Sequence, residues 1–350
     1  MRKLLRILAG LVLLAVVAVV GLLAPVGYNE LACRPQMQTD GYTPILPAAD
    51  HRPEARTLLT YPEWHIVYAY DDYGRVIRDG DPHDYAFLPA IGDFWSSLCD
   101  LSKASGAHGG FPWETKQMVY TIGVSFTAEL LAKAAYEETL GRVATWIRGA
   151  DRAPLDDLSA RQAADYATFL HQVPWYKWDF PQSARELREA ATTQFRDRER
   201  LFALETEYRV KAAYAGAIAQ AVAQVGADEL TLRMIISGLT RHQLSVFDQV
   251  KIITEHPEGV EIETPRYAEL TKLLVAMAQQ NAKFVEIAGN DDIMLTAISP
   301  GPAPEGSLAS FKRQGYGDTR HLVMVKVADL ADTLRALSNG PIRLEHVYDY

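Results

Sequence analysis

Catalytic signatures are what this 350-residue chain lacks. It has no H-E-x-x-H helix for a zinc protease, no C-x-x-C-H for covalent haem and no E-x-x-H pair for a carboxylate-bridged metal bundle. It also has no G-x-S-x-G nucleophile elbow and no phosphate loop. The nine histidines are scattered, with no ligand spacing on any one element, so neither a metal nor a cofactor is expected. Cysteine is nearly absent. Cys33 and Cys99 are the whole complement; a reducing compartment would leave them as buried thiols, whereas an oxidising one permits a single bridge. Positive charge is short as well. The formal charge is −9, and setting aside the basic residues at the extreme N-terminus makes the remainder more acidic still. Such a body has no general attraction for nucleic acid or anionic lipid. No low-complexity tract and no internal repeat is apparent.

What is present begins with an apolar run. Leu4 to Val26 carries one charge, Arg6, and the uncharged part from Ile7 to Val26 is long enough, at ~1.5 Å per residue, to cross a ~30 Å hydrocarbon core. A cleaved signal peptide would have a shorter apolar region and a small-x-small cleavage site, so the run reads as a retained anchor. Arg2, Lys3 and Arg6 precede it and only Arg34 follows closely. The positive-inside bias therefore puts the N-terminus in the cytoplasm and the body in the periplasm, anchored in the inner membrane. That address favours a bridge between Cys33 and Cys99.

Residues 27–56, with four prolines and little periodicity, read as a spacer. A helical domain, 57–240, follows. Thr60-Tyr61-Pro62-Glu63 reads as a capping box opening a helix to about Arg78, with Ile66, Tyr70, Tyr73 and Ile77 as its buried stripe. Further helices are expected over about 89–102 and 113–148, the second with Glu129, Lys133 and Glu137 as a solvent-facing ladder. Others are expected from Ser159 to about His171, from Ser183 to Val225, and from Asp228 to Leu239. Beyond Arg241 the period becomes alternating. Strands are expected at Val250–Thr254, His321–Val327 and Ile342–Tyr348, a hairpin around Gly289-Asn290-Asp291, and helices over Pro265–Ala282 and Ala328–Ser338. The expected class is α+β: a transmembrane helix, a mainly helical domain, then a ferredoxin-like plait over 241–350, one sheet with two helices on a face.

Two aromatic segments stand out. Thr60 to Tyr73 interleaves Tyr61, Trp64, Tyr68, Tyr70 and Tyr73 with Glu63, His65, Asp71 and Asp72. This YPEW-type run resembles a segment of uncharacterised bacterial single-pass membrane-anchored proteins, a resemblance that covers mainly this region and the helix after it and implies no activity. The second is Trp175-Tyr176-Lys177-Trp178-Asp179-Phe180, set between two prolines. Rings beside carboxylates suit a sugar cleft, since rings stack on C–H faces while acids accept hydroxyl hydrogen bonds. The ligand-contact candidates are thus Glu63, Trp64, His65, Asp71, Asp72, Trp175, Trp178 and Asp179. The plainer reading makes the tyrosine stripe core, Glu63 a cap and the second knot a plug from a loop. His108-Gly109-Gly110 reads as a sharp turn. The expected function is a membrane-anchored binding or scaffolding protein of the cell envelope, with an envelope protein or glycan as partner and no nucleic acid. The alternative is a carboxylate-dependent enzyme on envelope glycans, with Asp179 and Glu63 as acid and base.

Overall fold

The computed structural model describes residues 2–38, 41–225, 230–304 and 306–350. Helix α1 (Arg2–Ala32) contains the span Val12–Ala32, of mean hydropathy 2.1 and only 6% buried, which is long and apolar enough to cross a membrane. The helix outlasts the apolar run because its last turn finds polar partners. Asn29 Oδ1 accepts from Ser102 Oγ (3.2 Å) and Tyr120 OH (3.0 Å), and Lys116 Nζ lies 2.7 Å from Glu30. Cys33, just beyond, is bridged to Cys99. The start of the expected spacer is therefore docked helix, not tether. The remainder lies extended over a sheet, where the Glu286 carboxylate accepts from Tyr42 OH and from the backbone N–H groups of Ile45 and Leu46.

The helical region comprises α2 (Arg56–Asp79), α3 (Phe87–Ala104), α4 (Trp113–Tyr136), a π-helical turn (Glu137–Gly141), α5 (Arg142–Arg148), α6 (Pro154–Leu170), α7 (Phe180–Ala190) and α8 (Phe195–Val225). α2 is central and buried on three sides. Leu58, Tyr61, Trp64 and Tyr68 meet the C-terminal sheets, Leu59 and Ala69 meet α3 and α4, and Tyr70 meets α6 and α8. It starts four residues before Thr60, whose hydroxyl bonds back to Arg56 O inside the helix, so the expected capping box is not the start. α6 likewise begins ahead of Ser159. The long helix expected from Ser183 is two: Asp197 accepts from Thr192 N–H and Oγ1 and from Leu155 N–H, which breaks the chain between α7 and α8.

The expected solvent ladder on α4 is interior. Lys133 pairs with Glu207 at 3.0 Å and Lys211 with Glu129 at 2.9 Å, while Arg200, 1% exposed, holds Glu137 at 2.9 Å. Spacing alone could not distinguish pairing along one helix from pairing between α4 and α8. For the buried Arg200–Glu137 pair, removing either member would strand a charge at a cost of ~3–5 kcal/mol; the other two pairs are half-buried and worth less.

The C-terminal region holds β1 (Thr231–Ser237), α9 (Arg241–Leu244), β2 (Lys251–His256), β3 (Gly259–Pro265), α10 (Tyr267–Gln279), β4 (Lys283–Ile287), β5 (Asp292–Ser299), β6 (Ser307–Lys312), β7 (Thr319–Lys326), α11 (Val327–Asn339) and β8 (Arg343–Val347). Thr231–Ser237, expected as helix, is a strand whose Leu232, Met234 and Ile236 enter the core; Asp228, its expected cap, lies outside the described residues. In place of one plait there are two antiparallel sheets, ordered β2-β3-β1-β4 and β6-β7-β5-β8. β4 and β5 form no hairpin. Ala288 (φ 51°) and Gly289 (φ 81°) turn the chain tightly from one sheet into the other.

The two sheets repeat one design. Each runs β-β-β-α-β with the same strand order, the first with the single-turn α9 inserted between its first two strands, and their irregularities coincide. The first skips Ile253 opposite Ile262/Glu261 and Val285 opposite Ile235/Ile236; the second skips Leu308 opposite Val323/Leu322 and Glu345 opposite Thr296/Ala297. Bulges at matching positions are built-in features of a strand, not accidents. Inner-face counterparts stay apolar: Met234 with Leu295, Ile262 with Val323, Ile287 with Val347, all in one core with Leu270 and Leu274 of α10 and Leu330 and Leu334 of α11. Outer-face counterparts diverge: Arg233 with Met294, Glu261 with Leu322, Glu286 with His346. The reason is what covers each sheet, a polar extended segment over the first and α2 over the second. Equivalent outer-face positions therefore carry unlike residues, and no repeat is legible in the sequence.

Candidate functional site

The aromatic-acidic residues disperse. Trp64 is buried with its ring 3.8 Å from that of His346. His65 is buried, its Nε2 3.1 Å from Ala90 O, and burial pushes it down to about 4, so it is neutral at physiological pH. Asp71 lies 2.8 Å from His171 Nε2. Asp72 is buried; one carboxylate oxygen accepts from Gln314 N–H at 2.9 Å and the other has no hydrogen-bond partner among the described residues. Burial raises Asp72 to about 7 against the pull of Arg320 and Arg313. Trp175 packs on Tyr214, and Trp178 packs on Tyr166 and Phe169 while its Nε1 donates to Ser183 Oγ. Exposed Asp179 caps α7, accepting from Gln182 N–H at 2.8 Å. Glu63 is exposed on α2. Trp64 lies in the cluster that faces the second sheet, whereas Trp175 and Trp178 lie in another, where Tyr70 of the first segment joins them.

A cleft of about 400 Å³ opens elsewhere, where residues 42–54, the turn after α3 and the β4–β5 connection meet. Its volume lies in the range of small-molecule sites. Two glycines shape it through their conformation. Gly110 (φ 72°) turns under Met37, and at Gly289 a Cβ would strike the His51 ring at 2.7 Å. Asn290 Nδ2 donates to Arg52 O at 3.0 Å and Arg52 N–H to Ala288 O at 2.9 Å, which fixes the two walls to each other.

At the edge of this cleft three side chains converge from three elements. Glu54 stands just ahead of α2, His108 ends the short 3₁₀ turn after α3, and Asp292 opens β5. Glu54 Oε1 accepts from Asp292 N–H at 3.0 Å, while His108 Nδ1 lies 3.3 Å from Glu54 Oε2 and 3.6 Å from Asp292 Oδ2. Burial would lower the His108 pKa, but the Glu54 hydrogen bond and the charges of Glu54 and Asp292 outweigh it and raise the imidazole above its ordinary value. Lys326 Nζ bridges Asp292 at 2.7 Å and Asp291 at 3.0 Å. Sequence reading missed this group because its acids are 238 positions apart and its histidine sits in what reads as a plain turn. Comparison of the chain with protein-family models, with curated proteins and with solved structures finds no match.

Proposed function

We propose that the chain is a single-pass, membrane-anchored binding protein of the bacterial cell envelope. In this reading the N-terminus is cytoplasmic, the body is periplasmic, and the cleft beside Glu54 and His108 holds a small polar ligand. The observation that carries it is the cleft itself, walled by segments from the extended stretch, the helical region and the sheets. A disulfide between Cys33 and Cys99 suits an oxidising compartment. Retention of α1 is favoured over cleavage because its last turn is part of the body: removing it would strip Ser102, Tyr120 and Lys116 of buried or half-buried partners. Binding is favoured over glycan chemistry because Asp179 already serves as a helix cap, apart from the cleft.

Two measurements test this. A periplasm-active reporter fused after Tyr350 should work and a cytoplasm-active one should not; the reverse result overturns the orientation. The detergent-solubilised chain should then be screened by thermal shift against envelope saccharides and peptides. A ligand so found should bind at least tenfold more weakly to Pro44→Trp, which crowds the cleft from an exposed position, and equally to Trp178→Phe. Affinity unmoved by Pro44→Trp places the ligand elsewhere.

A further inference from the structure

We infer that Glu54 Oε2, His108 Nδ1 and Asp292 Oδ2 form a three-ligand site for a divalent transition-metal cation, Zn²⁺ by preference, with its open position toward the cleft. The inference rests on reading that cleft as the ligand site, and it names part of what binds there.

The spacing carries the argument. Charge-assisted hydrogen bonds between an imidazolium and a carboxylate close to ~2.7–2.9 Å. The two contacts of His108 stay at 3.3 and 3.6 Å. For ligand bonds of ~2.0–2.2 Å, the edge of a tetrahedron is roughly 3.4 Å. The three donor atoms lie within 4.8 Å of one another, and the long His108–Glu54 hydrogen bond and the His108–Asp292 contact are near that edge length, so a cation would take the place of the proton between them. A cation could enter with little side-chain movement.

The donor chemistry selects the metal. One imidazole with two carboxylates suits Zn²⁺ or Mn²⁺; Mg²⁺ and Ca²⁺ prefer all-oxygen shells. Three protein ligands leave a fourth position for water or a ligand group, and since two of them, Glu54 and His108, line the cleft, we assign that position to the cleft side. The Asp292 N–H fixes Glu54, whereas Lys326 donates to Asp292 Oδ2, the same oxygen that would bind the metal. Two carboxylates, Asp291 and Asp292, share one lysine, and one buried oxygen of Asp291 has no hydrogen-bond partner among the described residues. Lys326 is the competing cation, so it weakens metal affinity. The other group with ligand-like spacing, Asp81, His83 and Asp84, is accounted for by local structure, because Asp84 accepts from Asp81 N–H to close a turn.

The test is calorimetric titration of untagged, detergent-solubilised full-length protein with Zn²⁺, and with Mn²⁺ for electron spin resonance. One equivalent of Zn²⁺ should bind with micromolar or tighter affinity, and bound Mn²⁺ should show coupling to one imidazole nitrogen. His108→Gln and Asp292→Asn should each weaken binding at least tenfold, and His83→Gln should not change it. Lys326→Gln, at a side chain 54% exposed, should tighten binding several-fold. It keeps the test open if the buried variants misfold. No binding by the wild type, binding indifferent to His108→Gln and Asp292→Asn, or no tightening in Lys326→Gln overturns the inference. If the metal fails while Pro44→Trp still weakens another ligand, the cleft reading stands without it.

Discussion

Asp72 makes the stability of this protein depend on pH in an unusual direction. Its folded-state pKa is about 7 against an ordinary value of 3.8. A carboxyl raised on folding binds more protons in the native state, so stability falls as pH climbs between those two values. Below both, Asp72 is neutral in either state and costs nothing. The shift corresponds to a penalty of about 2 kcal/mol at pH 5 and about 4 kcal/mol at pH 8, so about 2–3 kcal/mol separates the two conditions. Asp72→Asn removes the charge and keeps an oxygen for the Gln314 N–H, with the amide NH₂ replacing the unpartnered oxygen. That unsatisfied donor costs ~1–3 kcal/mol at every pH, so the informative quantity is the change between pH values. The assay is the thermal midpoint of the solubilised chain, wild type and variant, at pH 5 and pH 8. The variant should gain on the wild type by roughly 2–6 °C on going to pH 8, at about 1–2 °C per kcal/mol for a chain of this size. An offset equal at both pH values would refute the reasoning.

Mass analysis without reduction, after thiol blocking, should find neither Cys33 nor Cys99 alkylated; two alkylated cysteines would contradict the bridge. Reduction should lower the thermal midpoint, since a closed loop of 66 residues is worth about 4 kcal/mol at most in the chain-entropy picture. Trp64→Ala, at a ring 6% exposed, should cost ~3–5 kcal/mol, whereas Trp146→Ala, at a ring 83% exposed, should stay within ~0.5 kcal/mol. Thermal midpoints compare them, and equal shifts would mean that Trp64 is not core.

The sequence by itself determined whatever depends on near neighbours. The apolar run of α1 was legible from length, the extents of α3 and the α4–α5 stretch from i, i+4 spacing, and β2, β7 and β8 from alternation. Local pattern failed where a residue's partner lay far along the chain. The Glu129–Lys133 spacing looked like a surface ladder, yet Glu207 and Lys211 of α8 pair with it across the helix interface. β3, with Glu261 and Glu263 in its run, was passed over because those acids find Arg233 on the neighbouring strand. Thr231–Ser237 read as helix for want of the sheet that makes it a central strand. Only the tertiary structure decided that there are two sheets of one design, since their outer faces meet different covers and carry unlike residues while only the inner faces are alike. It alone also assembled Glu54, His108 and Asp292, because a site built from three elements leaves no spacing in the sequence: the distances that matter are set by packing and not by chain position.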